Sequence, residues 1–169
     1  MKILTKINTK LNIVEKKNII SLLTIIIIFI IDRISKIKII ENLSEDGAVY
    51  INDNINFDLV WNTGIGFGLL SFNSSLIYNL ITTLIGCVLI FLVYLIIKSK
   101  FIDKILFSIV LGGAIGNFYD RLVYFAVPDF IDIHLARFHW FTFNIADIFI
   151  TLGVILLIIK DILFKNDKN

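Results

Sequence analysis

From Leu76 to Ile97 the chain runs without one charged side chain, and three further stretches, about Ile19–Ile40, Ile105–Tyr119 and Ile145–Ile159, are nearly as apolar. A helix needs about 20 such residues to cross a bilayer, since each residue advances it by only about 1.5 Å. Four such stretches in 169 residues, 57% of them hydrophobic and only one of them proline, carry more apolar surface than a soluble core of that size encloses. The expected fold is mainly α and integral to the membrane. It is a single domain over 1–169, a four-transmembrane-helix bundle with a small extracytoplasmic β element within 41–75 and a short interfacial helix within the loop 120–144.

Lysine and arginine placement sets the orientation. Lys2, Lys6, Lys10, Lys16 and Lys17 fall in residues 1–18, ahead of the first span. Lys98, Lys100 and Lys104 lie around the junction of the second and third, and Lys160, Lys165 and Lys168 follow the fourth. The segment 41–75 has neither residue type, and the stretch between the third and fourth spans has only Arg121 and Arg137. Positive charge concentrates on the cytoplasmic side, so a multi-pass protein with both termini cytoplasmic is expected. A net charge of +2 gives no footprint for nucleic acid. Asp32-Arg33-Ile34-Ser35-Lys36 follows the first apolar run where a cleavable leader would carry small residues, so that run is an uncleaved span. Cys87 lies within an apolar helix and is assigned to packing.

Between the first two spans, Ile55, Phe57, Leu59 and Trp61 alternate with Asn54, Asn56, Asp58 and Asn62, the period of a strand with one apolar face. Gly64, Gly66 and Gly68 then alternate with Ile65 and Phe67, which frees the backbone to bend or to approach a neighbour closely. Trp61, Phe67, Leu69, Leu70 and Phe72 suit the membrane interface. From Val127 to Trp140, Val127, Phe130, Ile131, His134, Leu135 and Phe138 recur near helical spacing, which predicts the interfacial helix.

Ionisable groups are costly in or beside hydrocarbon, so each one in a span is either paired or functional. Asp32 and Lys36 share a helix face and suit an ion pair. Asn117, Asp120 and Arg121 share another, with Asp120 able to pair with Arg121 or across to a different helix. Gly112, Gly113 and Gly116 with Ala114 allow close helix approach there. Asp129 and Asp147 have no local basic partner, and both belong near the outer interface. If they meet, one carboxyl keeps a proton, which is the asymmetry an aspartic protease uses to activate water and protonate a scissile carbonyl. His134 and His139 form no ligand set with a cysteine and are assigned to packing, so no metal is expected.

Five blocks in order, Asp32-x-x-Ser35-Lys36, Asn62-Thr63-Gly64, Gly112-Gly113-Ala114-x-Gly116-Asn117-x-x-Asp120-Arg121, Val127-x-Asp129-Phe130 and Phe143-Asn144-x-Ala146-Asp147, resemble signal peptidase II, the lipoprotein signal peptidase family of bacteria. The resemblance implies that Asp129 and Asp147 are the catalytic pair. It implies that Asp32, Lys36, Asn62, Gly64, Asn117, Asp120, Arg121 and Asn144 bind substrate or brace the dyad. It further implies an intramembrane aspartic endopeptidase of the bacterial cytoplasmic (inner) membrane, monomeric and without cofactor. Such an enzyme cuts diacylglyceryl-modified prolipoproteins on the amino side of the lipidated cysteine, works among membrane lipid and is inhibited by globomycin-type cyclic peptides. The sequence departs from the family pattern at Ile65-Gly66-Phe67-Gly68, where alanines are usual, at Pro128 and at Ile148; none removes a carboxylate. A proton-coupled transporter would instead spread its carboxylates through the bilayer depth, and an assembly factor would leave Asp129 and Asp147 without a task.

Overall fold

The structure is a computed structural model and describes residues 2–64, 75–135 and 138–164. The expectations for Ile65, Gly66, Phe67, Gly68, Leu69, Leu70, Phe72 and Arg137 lie outside the described residues. In chain order the elements are α1 (Lys2–Asp46), β1 (Val49–Asn52), β2 (Ile55–Asn62), α2 (Ser75–Lys98), α3 (Phe101–Val123), β3 (Val127–Leu135), β4 (Phe138–Phe143) and α4 (Ile145–Phe164).

Among the described residues, three helical segments are long and apolar enough to cross a membrane: Glu15–Leu43 within α1, Leu76–Lys98 in α2 and Phe101–Val123 in α3. α4, with 20 residues, differs because any 18 consecutive positions in it include Asp147, Lys160 and Asp161. Between those charges, Ile148–Ile159 carries none. Leu76, Leu80, Leu84 and Ile90 on α2 lie on the protein's outer surface, as do Ile155 and Ile158 on α4. Water would penalise so many exposed aliphatic side chains, whereas lipid solvates them.

α3 is the hub of the helices and packs against α1, α2 and α4. Only Ser99 and Lys100 separate α2 from α3, which makes the two antiparallel neighbours. On the other faces of α3, glycine permits backbone contact. A Cβ on Gly113 would stand 2.6 Å from the Ala146 carbonyl oxygen of α4, and one on Gly116 would collide with the Asp32 carboxylate of α1. The helices therefore approach closely at the end of the bundle where the polar residues gather.

The strands form one antiparallel sheet in the order β1-β2-β3-β4. Along β2, Phe57 pairs with Ile131 and Val60 with Asp129, so β2 takes three steps where β3 takes two. This bulge reverses the strand's parity, leaving Trp61 exposed and turning Asn62 into the interior beside β3.

The interfacial helix expected within 120–144 is not formed: Val127–Leu135 and Phe138–Phe143 are the paired strands β3 and β4. The short apolar run satisfied both periods. Val127, Ile131, Ile133, Phe138, Trp140, Phe141 and Phe143 are β-branched or aromatic, and β2 offers a strand edge to pair with, so the extended form wins. The chain turns from α3 into β3 through Tyr124, whose N–H donates to the Asp120 carbonyl, and Phe125, which takes a left-handed φ of 55°.

Candidate active site

The first turn of α4 fixes one carboxylate. Asn144 stands at the N-cap, and its side-chain oxygen accepts from the Asp147 N–H (3.2 Å) while the Asn144 N–H donates to Asp147 Oδ2 (3.1 Å). This reciprocal pair is a capping box with aspartate at the third helical position. A further unpaired N–H of the helix start, that of Ala146, donates to Asp32 Oδ1 on α1 (3.1 Å). The other oxygen of Asp147 accepts from the Asn117 side-chain amide of α3 (2.8 Å).

Asp129 enters from β3 and is buried. Each of its oxygens accepts an amide hydrogen bond, Oδ2 from Asn62 (2.8 Å) and Oδ1 from Asn144 (2.5 Å). Asn144 thus contacts both aspartates at once: its side-chain nitrogen donates to the Asp129 carboxylate, its backbone N–H donates to the Asp147 carboxylate, and its side-chain oxygen accepts from the Asp147 backbone N–H. Burial pushes the Asp129 carboxyl up to about 7, the charge of Asp147 pushes in the same direction, and the amides of Asn62 and Asn144 oppose both. Near neutral pH this group is poised between acid and base.

Behind the two carboxylates lies a buried charge cluster. Lys36 spends all three ammonium hydrogens, donating to Asp32 Oδ2 (2.9 Å), Asn117 Oδ1 (2.7 Å) and Asp120 Oδ2 (2.7 Å). Lys36, Asp32 and Asp120 are fully enclosed. The bond to Asn117 Oδ1 orients that amide, leaving its nitrogen to face Asp147. Arg33 brings a second positive charge 2.6 Å from Asp120 Oδ1, at ion-pair distance but without hydrogen-bond alignment, and its guanidinium lies over the Tyr119 ring. Arg121 donates to the Asn117 carbonyl (3.1 Å) and the Gly64 carbonyl (2.9 Å), tying α3 to the end of β2. The Gly64 N–H in turn donates to Asn62 Oδ1 (2.9 Å), which leaves the Asn62 nitrogen for Asp129.

All ten residues singled out from the sequence, Asp129, Asp147, Asp32, Lys36, Asn62, Gly64, Asn117, Asp120, Arg121 and Asn144, therefore fall in one connected network. Of the two partners open to Asp120, the structure uses those on another helix, Lys36 and Arg33 on α1, and not Arg121. Two members were missed. Arg33 was overshadowed by Asp32 beside it, although a guanidinium in an apolar helix is itself a signal. Tyr78 of α2, whose hydroxyl donates to the Arg121 carbonyl (2.9 Å), had none. An apolar cavity of about 360 Å³ opens beside the pair, lined by Ile133, Phe141, Phe143, Ile148, Thr151, Leu152 and Ile155, with Asp147 its one charged group. Among the described residues the only three-residue set able to ligate a metal is Asp132, His134 and His139, which does not include either carboxylate of the pair.

Comparison with known proteins gives a consistent picture. Residues 24–163 match the family model described as signal peptidase (SPase) II. The lipoprotein signal peptidase of Pelagibacter ubique (strain HTCC1062) is 47% identical over 161 residues, covering 94% of this chain and 97% of that protein. That of Thermodesulfovibrio yellowstonii is 38% identical over 140 residues, covering 83% and 92%. Among solved structures, a bacterial membrane enzyme determined by the in meso method at 2.3 Å resolution superposes with a TM-score of 0.72 at 33% identity, covering 88% of this chain and 91% of the other.

Proposed function

The chain belongs to the signal peptidase II family and is a membrane peptidase that removes signal peptides from prolipoproteins; from that premise we propose that it is an aspartic endopeptidase with Asp129 and Asp147 as its catalytic pair. The observation that carries this reading is Asn144, which donates to two carboxylates from different elements, one of which, Asp147, lines an apolar cavity.

We assign the proton of the resting pair to Asp129, whose carboxyl burial raises, and the negative charge to Asp147, held at the positive end of α4. Asp147 takes a proton from a water as that water's oxygen bonds to the scissile carbonyl carbon, while Asp129 gives its proton to the carbonyl oxygen. Collapse of the tetrahedral intermediate returns a proton to Asp129 and delivers the one on Asp147 to the departing amine. Asp32, Lys36, Asn62, Gly64, Asn117, Asp120, Arg121 and Asn144 are positioning residues, each acting through the contacts given above. The substrate is a diacylglyceryl-modified prolipoprotein cut on the amino side of its lipidated cysteine, and the apolar cavity beside Asp147 suits the aliphatic part of such a substrate. A globomycin-type cyclic peptide occupies the same site as an inhibitor.

The protein resides as a monomer in the bacterial cytoplasmic membrane. α4 makes the fourth crossing, with Asp147 at its outer end and Lys160, paired to Asp103 of α3, at its inner end. Both termini are cytoplasmic, in keeping with the lysine distribution.

The test is cleavage of a diacylglyceryl-modified prolipoprotein by purified protein in detergent. Asp129→Asn and Asp147→Asn each lower kcat/KM by about 10³-fold or more at unchanged folding, as loss of a general acid or base does. Near wild-type cleavage by either variant overturns the dyad.

A further inference from the structure

Although the β3–β4 register shifts between Ile133 and His134, the extra residue falls in β4 between His139 and Phe141, so the alternation of β3 places Asp132 and His134 on the face opposite Asp129. His134 pairs across the hairpin with His139 of β4, and the two rings stack at 5.1 Å. Both present Nδ1 to a single oxygen: Asp132 Oδ2 lies 2.7 Å from His139 Nδ1 and 3.3 Å from His134 Nδ1. The Asp132 carboxylate is 4% exposed, and among the described residues no lysine or arginine pairs with it. His134 is 9% exposed, and its Nδ1 is buried without a hydrogen-bond partner although it faces that oxygen. A buried carboxylate requires a counter-charge, and a buried ring nitrogen requires a partner.

One occupant answers both needs. We propose that Asp132, His134 and His139 form a binding site for a divalent transition-metal ion of the zinc type, which clamps β3 to β4. The ligand atoms of the three residues lie within 4.8 Å of one another. Zinc bonded to nitrogen and oxygen at about 2.0–2.2 Å in tetrahedral geometry sets its ligands about 3.4 Å apart, which small side-chain rotations reach from here. Two imidazoles and one carboxylate select zinc and its neighbours over magnesium and calcium, which require oxygen-rich shells. His139 is 60% exposed, so the fourth position opens to water and the ion enters from solvent. The site is separate from the peptidase chemistry: it occupies the other face of the strand that carries Asp129, and β4, which it pins, leads directly into Asn144. From the sequence both histidines read as packing, since no cysteine stands at ligand spacing from them. Asp132, two residues from His134 and therefore on the same strand face, was concealed by the helical assignment.

The test uses untagged protein in detergent, because its own histidines number two and a histidine tag would mask them. Chelator-treated protein is titrated with zinc chloride by calorimetry and with cobalt chloride by visible absorption, and zinc is then added in thermal melts. One equivalent binds and raises the melting temperature. His139→Ala, an exposed truncation, weakens uptake at least tenfold and abolishes the thermal shift, as does Asp132→Asn, whereas Asp129→Asn takes up zinc as the wild type does. Absence of saturable uptake, or uptake unchanged in His139→Ala, overturns the proposal.

Discussion

Lys36 shows how far one side chain can organise a site. Its three hydrogens go to three acceptors on two helices, and nothing of it reaches solvent. Lys36→Met strands Asp32 and Asp120 as buried carboxylates with only Arg33 nearby, a loss of about 3–5 kcal/mol for breaking a buried ion cluster. The variant melts well below the wild type and cleaves no prolipoprotein. Lys36→Arg does not rescue it, since a planar fork cannot address three diverging acceptors. Asp129 makes a different prediction. With its carboxyl raised to about 7, the acid form dominates below that pH and is lost above it, so kcat/KM falls about tenfold per unit on the alkaline side. A rate that is flat from pH 6 to 9 removes Asp129 as the acid. These residues differed in how legible they were. Asp32, Lys36 and Asp120 stand out because a charge within an apolar helix is costly; Asp32 and Lys36 are four apart on α1, and Asn117 and Asp120 three apart on α3, which shows the face each pair shares. Asn62 and Asn144 have no such signal, because a lone asparagine at the end of an element is compatible with any turn; only the family resemblance pointed to them.

At the scale of elements, the site depends on how strands and helices begin and how closely they approach. The capping box at α4 is a local device, and Asn144→Ala removes its side-chain half at a cost of about 1 kcal/mol in stability. The same change takes the amide from Asp129 Oδ1 and loosens the turn that carries Asp147, and on the proposed dyad activity falls about 100-fold, since small misplacements of reacting groups are penalised at that level. Melting and cleavage measured side by side separate the small effect from the large one. Gly113→Ala forces α3 away from the Ala146 carbonyl and should cost about 1–3 kcal/mol with loss of cleavage, visible in both a melt and an assay. The sequence anticipates the close approach of helices, because glycines spaced three or four apart on a helix have few other uses, but not that they divide between two neighbours, Gly112 and Gly116 against α1 and Gly113 against α4. It did not anticipate the β3–β4 hairpin or the bulge in β2, because both depend on pairing with a strand distant in the chain, which local periodicity does not register.

Seen whole, the molecule is a bundle with the buried cluster of Asp32, Lys36, Asp120 and Asp129 at one end beneath the sheet, so its orientation decides on which side of the membrane this end stands. With Cys87 replaced by alanine, Asp53→Cys at the β1–β2 turn reacts with a membrane-impermeant maleimide added to intact cells, whereas Ser99→Cys between α2 and α3 reacts only after lysis. The reverse pattern inverts the topology. One property of the polar end bears on the conditions the enzyme tolerates. Lys36 and Arg33 offer two positive charges, Asp32 and Asp120 two negative ones, all within ion-pair reach and withdrawn from solvent. Their fields cancel over short range where mobile ions do not enter. Salt screens such enclosed pairs little, so the cluster is expected to hold α1 to α3 as firmly in saline as in dilute surroundings.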